Sequence, residues 1–246
     1  MWGTKIKDLP FKLVVQSEIE IWRAADFWTK EPETIAWIDS FAPGSVFWDI
    51  GANIGVFSLY ATSRGFNVFA FEPDMQNVSR LKDNAWQNRD LAFVFRDLSF
   101  VFPENIFKYA ISDFDGVSTF YVPKSGSGRS GGQIGAAVDD SGREFKPEES
   151  YEVETYKIDT LAAKFGVPNH IKIDVDGIEW RILQGGSATL AHQDVKSVLV
   201  EVNNSYADID GYMKSFGFTD FNRFNGPDLN RRINQKQYNK IYMRET

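Results

Sequence analysis

The chain has 246 residues, is 43% hydrophobic and 15% aromatic with 21 Phe and 7 Trp, and so reads as a folded globular protein rather than a disordered one. Its formal net charge of −7 weighs against a nucleic-acid partner, because an acidic surface repels phosphate backbones. It contains no cysteine, which removes disulfides, thiolate zinc sites, iron–sulfur clusters and cysteine nucleophiles together.

Residues 1–45 read as a lead-in segment packed on the core. After Pro32, the run ETIAWIDSF places Ile35, Ile38 and Phe41 at helical spacing with Trp37 beside them, and Pro43-Gly44 stops the helix. Residues 46–246 read as one continuous unit. Val46–Ile50 is a short apolar strand, Gly51 to Gly55 a tight turn, Val56–Ser63 a helix, Asn67–Phe71 a second strand and Met75–Asn88 a second helix. Strand and helix in alternation predict a parallel sheet with helical crossovers. Asn105–Ile111 reads as a third strand and Val117–Val122 as a further segment of alternating character.

Between Pro123 and Ser150 there are six Gly and five Ser and no sustained apolar pattern, which predicts a long loop or flap over 123–150. Regular patterning resumes at Tyr151–Leu161. His170–Val175 is a buried strand, Ile178–Gln184 a helix and Lys196–Val202 another apolar strand. From Gly211 the tail holds one helix and two strand-like pieces, Phe218–Phe224 and Tyr238–Arg244. No stretch approaches 18 uninterrupted apolar residues, and the first residues lack a signal-length apolar run. The expectation is a cytoplasmic protein with no membrane span.

Four clusters carry chemistry. In Asp49-Ile50-Gly51-Ala52-Asn53-Ile54-Gly55 the glycines stand where a strand turns sharply into a helix. A dinucleotide fingerprint would need glycine at 53 and 56, where this chain has Asn53 and Val56, so the spacing disfavours a pyrophosphate. Glu72, at the end of the second strand and 21 residues after Gly51, is placed to accept hydrogen bonds from a pair of ribose hydroxyls. Lys172-Ile173-Asp174-Val175-Asp176-Gly177-Ile178-Glu179 sets carboxylates at the carboxyl end of a buried strand, the edge where open α/β sheets bind ligands. Asp174 needs a partner there, because an unpaired buried carboxylate is costly; Glu179 reads as a cap of the next helix, and Asp176 either as such a cap or as part of the site. Glu201-Val202-Asn203-Asn204 ends the last central strand on the same edge and reads either as site or as structure.

Taken in order, DIGANIG, FEP, YAISDFDG (109–116), IDTL (158–161), IKIDVDGIEWRILQG (171–185) and VLVEVN resemble the FkbM family of methyltransferases over roughly residues 30–225. The resemblance implies a class I methyltransferase fold: a Rossmann-like α/β, seven-stranded sheet with a reversed last strand, here with an N-terminal helical lead-in. It implies S-adenosylmethionine as methyl donor, leaving S-adenosylhomocysteine, and O-methylation of a sugar or polyketide hydroxyl on a small molecule or glycan. Two departures are Asp176, where the family usually has Glu, and the long Gly/Ser-rich stretch.

On this reading Asp49, Gly51, Asn53 and Gly55 surround the amino-acid end of the cofactor and Glu72 holds its ribose. Ser112 or Asp113 takes the adenine edge. Asp176, Glu201, Asn203 and Arg129 are candidates for the acceptor, with Lys124 and Arg143 as further cations for an anionic group. The two histidines fall at the wrong edge: His170 begins the strand that ends at Asp174, about 13 Å away at ~3.3 Å per residue. Asp174 is the candidate catalytic residue, orienting the acceptor hydroxyl, accepting its proton late, or holding Mg²⁺; the metal-free form is preferred. The competing readings are an NAD-dependent oxidoreductase and a non-catalytic SAM-binding module.

Overall fold

Side chains along the predicted strands sort by parity, as a pleated strand buried on both faces requires. Phe47 joins one apolar cluster while Trp48 and Ile50 join another; Val68 and Ala70 go with Phe47, and Phe69 and Phe71 with Trp48. These clusters fill the two faces of the main sheet. The protein is represented by a computed structural model that describes residues 9–89, 104–139, 142–203, 208–221 and 237–244.

In chain order the described elements begin with α1 (Glu18–Ala25), α2 (Phe27–Lys30) and α3 (Pro32–Asp39). There follow β1 (Val46–Ile50), α4 (Val56–Ser63), β2 (Asn67–Phe71) and α5 (Met75–Gln87). Then come β3 (Ile106–Phe107), β4 (Tyr109–Ile111), β5 (Gly116–Val122), β6 (Gln133–Ile134) and β7 (Glu149–Tyr156). The remainder is α6 (Ile158–Phe165), β8 (His170–Ile173), α7 (Glu179–Gln184), α8 (Ser187–Ala191), β9 (Ser197–Asn203), α9 (Ile209–Ser215), β10 (Phe218–Asp220) and β11 (Gln237–Arg244).

The main sheet has seven strands in the order β10-β11-β9-β8-β1-β2-β3. β1 pairs in parallel with both β2 and β8, and β9 in parallel with β8. β11 runs antiparallel between β9 and β10. This is the seven-stranded sheet with a reversed strand that the sequence led us to expect. Strand order reverses between β1 and β8, which opens a crevice at their carboxyl ends, the usual ligand position in such sheets.

A second sheet, β4-β7-β5-β6, is inserted between β3 and α6, and here the structure corrects two expectations. Asn105–Ile111 is two strands, not one: β3 pairs with Ala70 and Phe71, β2 ends there, and the chain leaves to pair β4 with β7. The 123–150 stretch is not without regular structure, since Gln133 and Ile134 pair with β5 and β7 begins at Glu149. Of the tail piece expected over 218–224, β10 covers Phe218–Asp220, and 222–224 lie outside the described residues.

The lead-in is held by specific chemistry at both ends. A capping box starts α1: Ser17 Oγ accepts from Glu20 N and Glu20 returns to Ser17 N. Pro32 begins α3. Trp37, fully buried, stands edge-on to Phe41 and Phe47 and donates to Ser197 Oγ at 2.8 Å. The expected core role of Trp37 is what the structure displays.

Candidate active site

The turn after β1 is shaped by packing before any ligand is considered. Gly51 has φ 81°, and a Cβ there would sit 1.9 Å from the carbonyl oxygen of Asp174. Gly55 has φ 86°, and its Cβ would meet Leu81 Cδ1 of α5 at 2.0 Å. Both glycines are required by backbone conformation and by the closeness of β8 and α5. Between them Asn53 takes φ 52°, a left-handed conformation that Asn tolerates better than most residues. Its Oδ1 accepts from Ile54 N and its Nδ2 donates to Arg129 O.

Glu72 is drawn into the same turn. It is 6% exposed and accepts from Asn53 N at 2.8 Å through Oε2 and from Asp74 N at 2.9 Å through Oε1. Burial pushes its pKa up to about 7, against the pull of the two amides. Asp49, on β1, is 1% exposed; Ser58 Oγ donates to its Oδ2 at 2.5 Å, while Oδ1 has no hydrogen-bond partner. Burial raises its pKa although Lys172 and Ser58 work the other way.

Lys172 is the residue that sequence reasoning underused. It is 1% exposed, donates to Asp174 Oδ2 at 2.6 Å and lies 5.2 Å from the centre of the Phe57 ring. Burial works against its charge, but Asp174, Asp49 and Glu31 outweigh that and raise its pKa. Asp174 therefore has the buried partner its position demanded. Burial opposes its ionisation, yet Lys172, Lys30 and Arg23 hold its pKa below the ordinary carboxylate range. Glu201 responds oppositely: burial first, then Asp174, Asp176 and Glu179, push it up to about 9. The surroundings thus drive the two carboxyls in opposite directions, Asp174 toward the ionised form and Glu201 toward the protonated one.

The turn after β8 holds the inserted stretch. Asp176 has φ 61°; its Oδ2 accepts from Gly131 N at 2.7 Å, and its carbonyl accepts from Gln133 Nε2. Glu179 is buried and takes Gly177 N at 3.0 Å and Val175 N at 3.3 Å, so it braces the turn before α7 rather than capping the helix as expected, and among the described residues no side chain caps that helix's first amides. The far side of the stretch is anchored too. Asn77 Nδ2 donates to Arg129 O, Asn77 Oδ1 accepts from Gly128 N, and Ser127 Oγ donates to the buried Glu20, which is paired with Arg80 at 2.7 Å.

The result is a crevice of about 770 Å³ bordered by Gly51, Asn53, Glu72, Asp174, Asp176 and Glu201, with Arg23, Lys30, Lys124 and Arg129 among its outer residues. Beside it lies an apolar recess of about 340 Å³ lined by Pro73, Ile111, Ile134, Val175 and Ile178. Most of the expected site residues meet here. Ser112 and Asp113 do not line these hollows: Ser112 Oγ donates to Asp113 Oδ1, and Asp113 is taken by Arg181 at 2.7 Å. At that point of the chain the residues lining the apolar recess are Tyr109, Ala110 and Ile111. Arg143 pairs with Asp139 rather than joining the crevice. Asn203 ends β9, and its side chain lies outside the described residues.

His170 is buried at the opposite end of β8, stacked on Phe41 with 3.6 Å between centroids, its Nδ1 2.7 Å from Ser197 Oγ. Burial, then Lys196, lowers its pKa to about 3. Among the described residues no cluster of three or more His, Cys, Asp or Glu is arranged to hold a metal. No helix among them is long and apolar enough to cross a membrane.

Comparison with known proteins gives three findings. The family model described as "Methyltransferase FkbM domain" matches residues 49–219. The hexuronic acid methyltransferase AglP of Haloferax volcanii is 28% identical over 197 residues, covering 78% of this chain and 70% of that protein. The crystal structure of an FkbM methyltransferase from Methylobacillus flagellatus superposes with a TM-score of 0.50 at 14% identity, covering 93% of this chain and 56% of that one. This chain therefore spans little more than half the length of that structure.

Proposed function

The chain belongs to the FkbM family of methyltransferases, and we propose that it is a SAM-dependent O-methyltransferase whose acceptor is a sugar or glycan bearing an acidic group. The observation that carries this reading is the meeting of Glu72, the Gly51–Gly55 turn and the Asp174–Lys172 pair at the switch point of one sheet. A buried carboxylate beside a glycine turn suits a ribose, and the apolar recess under Pro73 and Ile111 suits an adenine ring. The unbonded Oδ1 of Asp49 is a buried acceptor awaiting a donor. These features fit the cofactor the family uses; bound there, S-adenosylmethionine would supply a methyl group made electrophilic by a sulfonium.

The protein's own part is alignment, exclusion of water and care of one proton. Asp174, kept ionised by Lys172, accepts a hydrogen bond from the acceptor hydroxyl and fixes its lone pair toward the donor. Its low pKa makes it a weak base for an alcohol, so it takes the proton late, as the C–O bond forms and the oxygen becomes acidic. Glu201, held toward its protonated form by burial and the neighbouring carboxylates, serves as a donor to the acceptor rather than as a second base. The 127–133 stretch closes the crevice from above through Asn53, Asn77 and Asp176. Asn203 remains part of the proposed acceptor side, and SAM binding requires no metal on this reading.

Arg129 and Lys124 border the crevice. Among the described residues neither enters an ion pair, and the AglP relative is named for a hexuronic acid. Cations without a partner beside a sugar-sized space suit a uronate. The test is transfer of labelled methyl from S-adenosylmethionine to a panel of hexoses, hexuronates and their glycosides. Label on hexuronates above hexoses is expected; transfer to neutral sugars alone would overturn the acidic acceptor, and absence of S-adenosylhomocysteine binding by calorimetry would overturn the cofactor.

A further inference from the structure

The lead-in segment was expected only to pack on the core, yet two of its side chains reach the site. A recess of about 460 Å³, contiguous with the crevice through Gly51, Asn53 and Asp174, has six charged residues in its lining: Arg23, Lys30 and Lys172 against Glu31, Asp49 and Asp174. The signs balance but are not fully paired with one another. Lys172 is committed to Asp174, and Lys30 to Glu31 at 2.7 Å. That leaves Arg23 on one side and Asp49 on the other.

Arg23 donates through Nε to Gly128 O, which sets the plane of its guanidinium, and among the described residues its terminal nitrogens have no partner. It is close enough to Asp174 to stabilise that carboxylate's charge. Asp49 offers one buried, unbonded oxygen. A cation with open terminal donors and a carboxylate with an open acceptor in the lining of one recess suit a zwitterion.

We propose that Arg23 binds the α-carboxylate of the cofactor's amino-acid end, while Asp49 faces its ammonium. The lead-in would then be a wall of the donor site and not merely a cover on the sheet. Because Arg23 also grips Gly128, a cofactor seated on it ties the inserted stretch to the donor's presence. This inference rests on the SAM reading above, and its test separates the two.

The test is calorimetric titration of the full chain with S-adenosylhomocysteine and, separately, with 5′-methylthioadenosine, which keeps the nucleoside and lacks the amino-acid end. The wild-type chain should bind both, the former more tightly. R23Q should weaken S-adenosylhomocysteine by roughly ten- to a hundredfold, the scale of a lost charged hydrogen bond, and change 5′-methylthioadenosine less than about twofold. R23K, which keeps the charge without the fork, should fall between. An equal loss for both ligands in R23Q would overturn the proposal and make Arg23 a strut for Gly128. An unchanged S-adenosylhomocysteine affinity would overturn it as well. A wild-type chain that bound neither ligand would bring down the cofactor reading, and this inference with it.

Discussion

Glu72 and Asp174 are both carboxylates in one crevice, and their surroundings drive them apart. Glu72, raised to about 7 by burial, is half-protonated near neutrality. Ribose hydroxyls donating to it favour the charged form, so its pKa falls when ligand binds and a proton is released. The affinity for S-adenosylhomocysteine should therefore rise as pH increases from about 6 to 8, and E72Q should flatten the profile. The measurement is calorimetry in two buffers of different ionisation enthalpy, and a pH-independent wild type would exclude Glu72 from the ribose. Asp174 stays charged through the same range because Lys172 sits 2.6 Å away. D174N keeps the shape and removes the charge, so turnover should fall at least about 100-fold, the scale of general-base catalysis, while S-adenosylhomocysteine binding changes far less. Turnover that survived this substitution would move the proton's acceptor elsewhere. EDTA should leave the wild-type rate unchanged.

At the scale of elements, the inserted stretch is held by four separate neighbours: α1 through Glu20 and Arg23, the Asn53 turn, α5 through Asn77, and Asp176 after β8. Glu20 is the hub, fully buried, accepting from Gln16 N, Ser17 N, Arg80 and Ser127. Burial raises its pKa, but Ser127, the Gln16 amide and Arg80 together leave it lowered. In E20Q the buried Arg80 loses its buried counter-charge and keeps only the exposed Asp83 at 3.2 Å, at a cost of up to about 3–5 kcal/mol, the scale for breaking a buried pair. Amide exchange at Gly128 and Gly131 should speed up well beyond what the rest of the chain displays; uniform acceleration would mean general destabilisation instead. These contacts also explain what the sequence did and did not reveal. The strands around β1 and the Glu72 position were legible because parity of apolar residues and a glycine turn are local signals. Arg23 and Asn77 carry no such signal: each is an ordinary polar residue on a helix, given meaning by Gly128, some 50 to 105 positions further along the chain. The split of Asn105–Ile111 into two strands was equally hidden, since β3 and β4 differ only in which sheet supplies their partner.

Across the whole molecule the two ends of the sheet do different work. The end that holds His170 is packed and structural. With a pKa lowered to about 3 by burial, His170 is neutral in the folded chain, whereas the unfolded chain takes up a proton below about 6.5. Above that value it contributes no pH dependence; as pH falls from about 6.5 toward 3, stability is lost at up to about 1.4 kcal/mol per unit. Urea midpoints measured from pH 7.5 to 5 should drop in the wild type more steeply than in H170Q, and parallel curves would remove His170 as the cause. The opposite end carries the charges and the crevice. Joining them is β11, which pairs antiparallel with β9 on one side and β10 on the other. On the ribosome, β11 is made after both of these partners. At about 5–20 residues per second, the 34 positions from Asn203 to Gln237 keep the valine-rich rim of β9 without its neighbour for roughly 2–7 seconds. An unpaired apolar strand edge is a template for pairing with other nascent chains. Slower initiation or a chaperone that shields β9 should raise the soluble yield more than any change to the finished fold.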